Sequence, residues 1–79
     1  MNWVEVDSTS IGAIGYSFLN RQLGIEFRKS GDVYFYFDVP PEEYQVFMAA
    51  ESKGEYLNRI FKAKGYPHSG PHKQREFPQ

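Results

Sequence analysis

The sequence predicts an α+β domain, in which an antiparallel meander sheet of three to four strands is followed by two short helices packed on one face and by a flexible C-terminal tail. Three observations support this class. Apolar residues alternate with other residues through much of the first half, with the period of two that is typical of half-buried strands. After residue 40 the apolar spacing changes to the three- and four-residue pattern of amphipathic helices. The chain has 79 residues, a length that suits one domain.

The strands are predicted in chain order from this alternation. Residues 3–6 form a short edge strand, and residues 14–18 form the next alternating run. Residues 23–27 alternate again, and the clearest strand covers residues 33–39. The link between the last two contains Gly31, which suits a tight hairpin turn. We therefore expect successive strands to pair antiparallel.

The helices are predicted from their start signals. Pro41, followed by two glutamates, is typical of a first helical turn, so helix one is expected over residues 41–50. Ser52 and Glu55 have the spacing of a capping box, which predicts a second helix ending near Lys62. The spacing of apolar residues predicts one buried stripe on each helix, formed by Tyr44, Phe47 and Met48 on the first and by Leu57, Ile60 and Phe61 on the second. These helices complete a domain of residues 1–67.

The remaining residues, 68–79, are rich in Pro, Gly, His and basic side chains. This composition buries little apolar surface, and we interpret the segment as a flexible tail.

The composition argues against an enzyme. The chain has no cysteine, and its two histidines, His68 and His72, both lie in the predicted tail. Neither of the common glycine-rich phosphate-binding loops is present. We therefore expect no catalytic residues, no metal and no cofactor. The absence of cysteine, of an export signal and of a long apolar segment predicts a cytoplasmic protein with no membrane partner.

Charge is distributed unevenly along the chain. The residues before position 53 are net acidic, and those from 53 onward are net basic, although the whole chain has nine basic and ten acidic side chains. The basic part suits phosphate, and the acidic part suits a basic protein partner. A solvated surface with chance asymmetry explains the pattern equally well.

Four motifs in order resemble the KTSC domain. They are Ile11-Gly12-Ala13-Ile14-Gly15-Tyr16, Val33-Tyr34-Phe35-Tyr36-Phe37-Asp38-Val39-Pro40, Ser52-Lys53-Gly54 with Tyr56-x-Asn58-Arg59, and Tyr66-Pro67. The resemblance covers residues 8–67. That family is named for its occurrence at the C-terminus of some lysyl-tRNA synthetases, and it also includes short stand-alone bacterial and phage proteins. The resemblance implies a role in RNA binding.

Two groups of residues are the candidate binding site. Tyr34 and Tyr36 alternate with the apolar residues of their strand, so they are expected on the face opposite the core, where Arg28 on the neighbouring strand joins them. Aromatic and Arg side chains on an open sheet stack on unpaired bases. The second group lies on the second helix and consists of Lys53, Tyr56, Asn58, Arg59 and Lys62.

Two functions follow from these groups. In the first, the domain is a non-enzymatic module that binds RNA or another single-stranded nucleic acid through the tyrosines and the basic helix. In the second, Tyr34, Tyr36 and Trp3 anchor a protein partner or a second copy of the chain, as in a small accessory or inhibitor protein. Coverage of both tyrosines by a returning helix, by Trp3 or by a homodimer partner is the structural alternative to either function.

Overall fold

The computed structural model describes residues 1–77. Within them the elements are β1 (Asn2–Glu5), β2 (Ile11–Ser17), β3 (Gln22–Phe27), β4 (Val33–Tyr36), α1 (Pro41–Ala49), α2 (Lys53–Tyr56) and β5 (His68–His72). Helix α2 continues without a break through a π-helical turn, Leu57–Phe61, into a 3₁₀ turn, Lys62–Lys64. We refer to residues 53–64 together as the second helical segment.

The five strands form one antiparallel sheet in the order β1-β2-β3-β4-β5. The predicted α+β class, the meander and the N-terminal edge strand are therefore confirmed. The predicted strand over residues 33–39 is shorter in the structure, because the chain leaves the sheet after Tyr36. Asp38 adopts a left-handed backbone conformation, with φ of 59°, and the turn sends Val39 into the core.

The helices cover the face of the sheet that carries Tyr34 and Tyr36, which we call the front face. In the β3–β4 register Tyr36 lies opposite Leu23, and Tyr34 lies opposite Ile25. Directly opposed residues share a face, so the tyrosines point to the same side as the buried aliphatic residues of β3. The prediction that they project away from the core is wrong, and Tyr36 is 7% exposed.

The opposite, back face is built around Phe35 and Trp3, whose ring centroids are 6.4 Å apart in an edge-on arrangement. Gly15 and Gly24, neighbours across β2 and β3, lie beneath the indole. A Cβ at Gly15 would be 2.7 Å from Trp3 Cδ2, and one at Gly24 would be 2.5 Å from Trp3 Cη2. The two glycines therefore form a flat seat for Trp3.

The two helical pieces pack on the front face through the predicted stripes, with one exception. Phe47 of α1 is fully buried, and the second helical segment buries Leu57 and Phe61. Ile60, predicted to belong to the second stripe, is 46% exposed. The π-helical turn that contains it departs from the 3.6-residue period on which that prediction rests.

The structure differs from the predicted flexible tail. His68–His72 form strand β5, which pairs with β4 through Tyr36↔His68, Phe35↔Ser69 and Val33↔His72. Proline is tolerated there because β5 is an edge strand. Contacts of residues 73–77 with the rest of the fold hold the strand in place, as described below. Pro78 and Gln79 of the predicted tail lie outside the described residues.

None of the helices within residues 1–77 has the length and hydrophobicity that a membrane span requires.

Candidate functional site

An open cleft of about 900 Å³ lies on the front face, between the sheet and the end of the second helical segment. Its volume is within the range of roughly 300–1,000 Å³ that is usual for small-ligand pockets. We call it the aromatic cleft. The residues that line it are Thr9, Ser10, Phe27, Lys29, Ser30, Asp32, Tyr34, Tyr36, Phe61, Lys62, Gly65, Tyr66 and His68.

Six aromatic rings follow one another along the cleft, and the centroids of neighbouring rings are 4.9–6.4 Å apart. In order they are Phe27, Tyr34, His68, Tyr36, Phe61 and Tyr66. Tyr36 and Phe61 are buried and form the floor. Tyr34 and Tyr66 are half-buried, and His68 is exposed. The cleft therefore offers a largely apolar surface with accessible rings on its walls.

Two lysines on separate elements give the rim of the cleft a positive character. Lys29 lies in the turn between β3 and β4, and Lys62 lies in the second helical segment; both are exposed. Asp32, the one carboxylate among the lining residues, forms an ion pair with Lys73. The net charge of the rim therefore favours an anionic ligand.

A buried carboxylate holds one wall of the cleft. Glu43 of α1 is 5% exposed and accepts hydrogen bonds from Lys64 Nζ, from the Tyr56 hydroxyl and, at 3.1 Å, from the Tyr66 hydroxyl. Burial alone would raise the pKa of Glu43, but these hydrogen bonds outweigh it and hold that pKa below its ordinary value. Glu43 is therefore ionised at neutral pH and fixes the position of Tyr66.

Two cleft tyrosines, Tyr36 and Tyr66, have a raised pKa and stay protonated at neutral pH. Burial raises the pKa of Tyr36, and burial together with the hydrogen bond to Glu43 raises the pKa of Tyr66. Neutral phenols offer a ring face for stacking and a hydroxyl that donates or accepts a hydrogen bond. This chemistry suits binding of a planar polar ligand.

Three of the predicted site residues meet in the aromatic cleft: Tyr34, Tyr36 and Lys62. Tyr34 forms a wall and Tyr36 the floor, so they line the cleft from the core side instead of presenting an open sheet face. Lys62 is on the rim, as a phosphate contact would require.

Arg28 is placed elsewhere. Its Nε donates to the Ser8 carbonyl at 2.9 Å, and its Nη2 donates to the carbonyls of Val6 and Ile11 at 2.8 and 3.2 Å. The guanidinium thus ties the loop between β1 and β2 to β3, and the prediction that Arg28 joins the two tyrosines is wrong. Arg28 thus satisfies three backbone carbonyls, two of them in part-buried hydrogen bonds.

Lys53, Asn58 and Arg59 lie outside the aromatic cleft, in a neighbouring polar depression of about 530 Å³ formed with residues 7–10. The Ser52 hydroxyl there accepts from the Glu55 N–H at 3.3 Å, which confirms the helix cap. Lys53 Nζ donates to the Ala50 carbonyl at 3.1 Å. The depression therefore contains the cap and its supporting bonds, and it adjoins the aromatic cleft, with which it shares Thr9 and Ser10.

Tyr56 is also separate from the cleft. It is 9% exposed, contacts Phe47 with ring centroids 5.0 Å apart, and donates to Glu43. Burial and the Glu43 carboxylate raise the pKa of Tyr56 to about 12. Its role in the structure is to join the two helical pieces.

The cleft includes residues that sequence reasoning did not assign to a site. Phe27 and Phe61 occupy core-type positions, and Lys29 lies in a predicted turn. Tyr66 and His68 follow Gly65, which has a left-handed φ of 71° and turns the chain back toward the sheet. The sequence did contain a signal for these two residues: a glycine that can end a helix is followed closely by two aromatic side chains, in Gly-Tyr-Pro-His at residues 65–68.

The basic C-terminal part of the chain is used partly within the fold. Of its six basic side chains, Lys64 pairs with Glu43, Lys73 with Asp32, and Arg75 with Glu5 and Glu26. Half of these basic side chains are therefore paired with carboxylates of the acidic first part of the chain.

A serine and a histidine do approach each other on β5. Ser69 Oγ and His72 Nε2 are 2.9 Å apart. Both lie outside the set of residues that line the aromatic cleft. No cluster of three or more His, Asp or Glu side chains with metal-binding geometry occurs in the part of the chain that the structure describes.

The chain is similar to proteins of one family along most of its length. The model of the KTSC domain matches residues 7–66. An uncharacterized protein from Stutzerimonas stutzeri (strain A1501) is 38% identical over 66 residues, which are 84% of this chain and 92% of that protein. A protein from Tsukamurella paurometabola is 39% identical over 59 residues, 75% of this chain and 87% of the relative.

A solved structure supports the same relationship. The crystal structure of a KTSC domain protein from Yersinia pestis is 37% identical and matches with a TM-score of 0.78, covering 86% of this chain and 93% of that one. The motifs along residues 11–16, 33–40, 52–59 and 66 lie within the matched family range, as the sequence resemblance predicted. The chain belongs to the KTSC domain family.

Proposed function

We propose that this domain is a non-catalytic module that binds single-stranded nucleic acid, RNA in particular, by taking unpaired bases into the aromatic cleft. The observation that supports it is the continuous run of six rings between two lysines, on one concave surface. Stacking of a base on an aromatic side chain contributes about 1–3 kcal/mol to the binding free energy, and it depends little on the nucleotide sequence because every base has a π-face.

The shape of the cleft favours single strands over duplexes. Bases in a duplex are paired and stacked on each other, so their faces cannot reach rings at the bottom of a concavity. Tyr34 and Tyr66 are the accessible walls for stacking, since both are half-buried. Lys29 and Lys62 on the rim are placed to contact the phosphates that flank a bound base.

The same cleft chemistry fits a base from a free nucleotide. A polymer gains phosphate contacts on both sides of the bound base, whereas a mononucleotide gains them on one side only. We therefore expect a short single-stranded RNA to bind more tightly than the corresponding mononucleotide.

The test is fluorescence anisotropy of labelled single-stranded RNA at two salt concentrations, with mononucleotides, single-stranded DNA and duplex RNA as competitors. The variants are Tyr34→Ala and Tyr34→Phe, which remove and retain the ring. Binding that weakens with salt, is reduced roughly tenfold or more by Tyr34→Ala and is retained by Tyr34→Phe supports the proposal.

Three outcomes would contradict it. Competition by a mononucleotide as effective as that by the oligomer would assign the cleft to small ligands. Equal loss of binding in Tyr34→Ala and Tyr34→Phe would mean that the ring does not stack. An absence of binding to every nucleic acid, with a solution mass twice that of the chain, would favour the protein-interaction function.

A further inference from the structure

The segment after the family match contributes to the aromatic cleft. The match ends at residue 66, while the described chain continues to residue 77. We call residues 67–77 the C-terminal strap. It includes β5 and then passes to the back face of the sheet, so it contacts both faces.

On the front face, the strap brings a ring into the cleft. His68 is the register partner of Tyr36, and the centroids of these two rings are 5.2 Å apart. The His68 and Tyr34 centroids are 6.4 Å apart. His68 therefore connects the two tyrosines in the run of rings, and without the strap that run would be interrupted.

The strap also restricts the ring of Tyr34. Gly70 passes so close to it that a Cβ at this position would be 2.7 Å from Tyr34 Cδ2 and 3.0 Å from Tyr34 Cγ. Gly70 has a φ of 151°, which L side chains rarely adopt. Phe27 contacts Tyr34 edge-on, with centroids 5.8 Å apart. The position of the Tyr34 wall thus depends on where the strap lies.

On the back face, Arg75 anchors the strap. Its Nε and Nη2 donate to the two carboxylate oxygens of Glu26 at 3.1 and 2.6 Å, and Nη2 also donates to Glu5 Oε2 at 2.8 Å. Its guanidinium carbon lies 5.3 Å from the centroid of the Trp3 ring. Bidentate pairing and stacking on an indole make this contact more specific than a single surface ion pair.

Apolar contact supports the same anchor. The Phe77 ring lies edge-on to Phe35 and to Phe37, with centroid distances of 5.4 and 5.5 Å. Strand β5 itself is short and contains Gly70 and Pro71, residues that weaken a strand. Pairing with β4 and the hydrogen bond from the Phe37 N–H to the Pro67 carbonyl hold the start of β5, and the contacts made beyond β5 add a second anchor.

We propose that Arg75 is a positioning residue for the aromatic cleft: by holding the strap on the back face, it keeps His68 and Gly70 against the two tyrosines on the front face. The ligand-binding part of this inference rests on the proposed function. The structural part, that Arg75 sets the position of His68, does not.

The structural part is tested without any ligand. The ring protons of His68 are followed by NMR in wild type, Arg75→Ala and Gln74→Ala, the last an exposed neighbour in the same strap. In Arg75→Ala the His68 signals lose the ring-current shift caused by the tyrosines and move toward the values of an unstructured peptide. Gln74→Ala leaves them unchanged. Arg75→Lys, which keeps the charge but not the bidentate geometry, gives an intermediate shift.

The binding part is tested by a double-mutant cycle with labelled single-stranded RNA. Arg75→Ala and His68→Ala each weaken binding about fivefold to tenfold, within the range expected for one stacking contact. The double variant is weakened by less than the product of the two single effects, because part of the Arg75 effect acts through His68 and only the part that acts through Gly70 and Tyr34 remains. Circular dichroism establishes that each variant is folded. If Arg75→Ala does not fold, Glu5→Gln replaces it in the experiment. This variant removes one of the two carboxylate partners of Arg75, so it should weaken binding in the same direction but by less.

Unchanged His68 signals in a folded Arg75→Ala variant would overturn the inference. Effects of Arg75→Ala and His68→Ala that multiply in the double variant would also overturn it, because they would show independent action. A wild-type protein that binds no RNA would refute the proposed function, while the NMR comparison would still decide whether Arg75 positions His68.

Discussion

The hydroxyl of Tyr56 donates a hydrogen bond to the buried carboxylate of Glu43, and this contact joins helix α1 to the second helical segment. Lys64 and Tyr66 donate to the same carboxylate. One acidic side chain therefore connects the helical layer of the domain to a wall of the aromatic cleft.

Replacing this carboxylate is expected to destabilise the fold. Glu43→Gln keeps the size of the side chain but removes the charge that three donors share, and we expect a loss of about 1–3 kcal/mol in the free energy of unfolding. Urea denaturation measures the loss. Glu42→Gln is the matched control, because Glu42 is exposed, and we expect a change within about 0.5 kcal/mol. Equal effects of the two variants would contradict this role of Glu43.

The contribution of Glu43 is expected to disappear in acid. Its pKa is lower in the folded state than the ordinary value of 4.5, so the folded state favours the ionised form. The stability it adds is present above that ordinary value and is lost as the pH falls through the folded-state pKa. The difference in unfolding free energy between wild type and Glu43→Gln should therefore shrink on acidification below about pH 4.5. A difference that stays constant down to the acid limit of folding would be inconsistent with this prediction.

The close contact between Gly15 and the Trp3 indole predicts that adding a single methyl group at Gly15 destabilises the fold. Gly15→Ala places a Cβ within 2.7 Å of the indole, so the ring must move away from the sheet, at a cost of about 1–3 kcal/mol. Intrinsic tryptophan fluorescence should change along with the unfolding midpoint. Gly12→Ala, in the same strand, meets its nearest atom at 3.5 Å and is expected to leave both properties nearly unchanged. If the two variants behave alike, Trp3 is not held as described.

The position of Lys62 on the cleft rim predicts a change in salt dependence. If Lys62 contacts one phosphate of a bound single strand, Lys62→Ala should reduce the slope of log affinity against log salt by about 0.7. Arg59→Ala removes an equal charge from the same helical segment, but Arg59 lines the neighbouring polar depression and not the aromatic cleft, so this variant should leave the slope unchanged. The slopes come from RNA titrations at several salt concentrations. A larger effect from Arg59 would move the binding surface to that depression.

The fold class and the order of the elements could be predicted from the sequence, because period-two alternation and the capping signals are local. The face on which Tyr36 lies could not be read from its own strand, since both sides of β4 carry large rings. The neighbouring strand contains the missing information. Gly24 and Glu26 occupy one side of β3, while Leu23 and Ile25 occupy the other, and the register of β4 on β3 decides which side joins the core.

Only part of the candidate site could be predicted, because its other part also depends on contacts between distant segments of the chain. Tyr34, Tyr36 and Lys62 were identified by residue type, and they do meet. His68 was assigned to a tail because the composition of its segment is poor in apolar residues. Its position depends on Arg75 contacts with Glu5 and Glu26, which are far away in sequence and leave no periodic pattern.

The bond between Arg75 and Glu5 joins residues 70 positions apart, so it has a consequence for the order of folding. Hairpins between consecutive strands close short loops, whereas this contact must close nearly the entire chain and has the larger entropic cost. We expect the β2–β3–β4 meander and its helices to form first and the two ends of the chain to meet last. The ends are then also the part that opens most readily from the native state, without unfolding of the core.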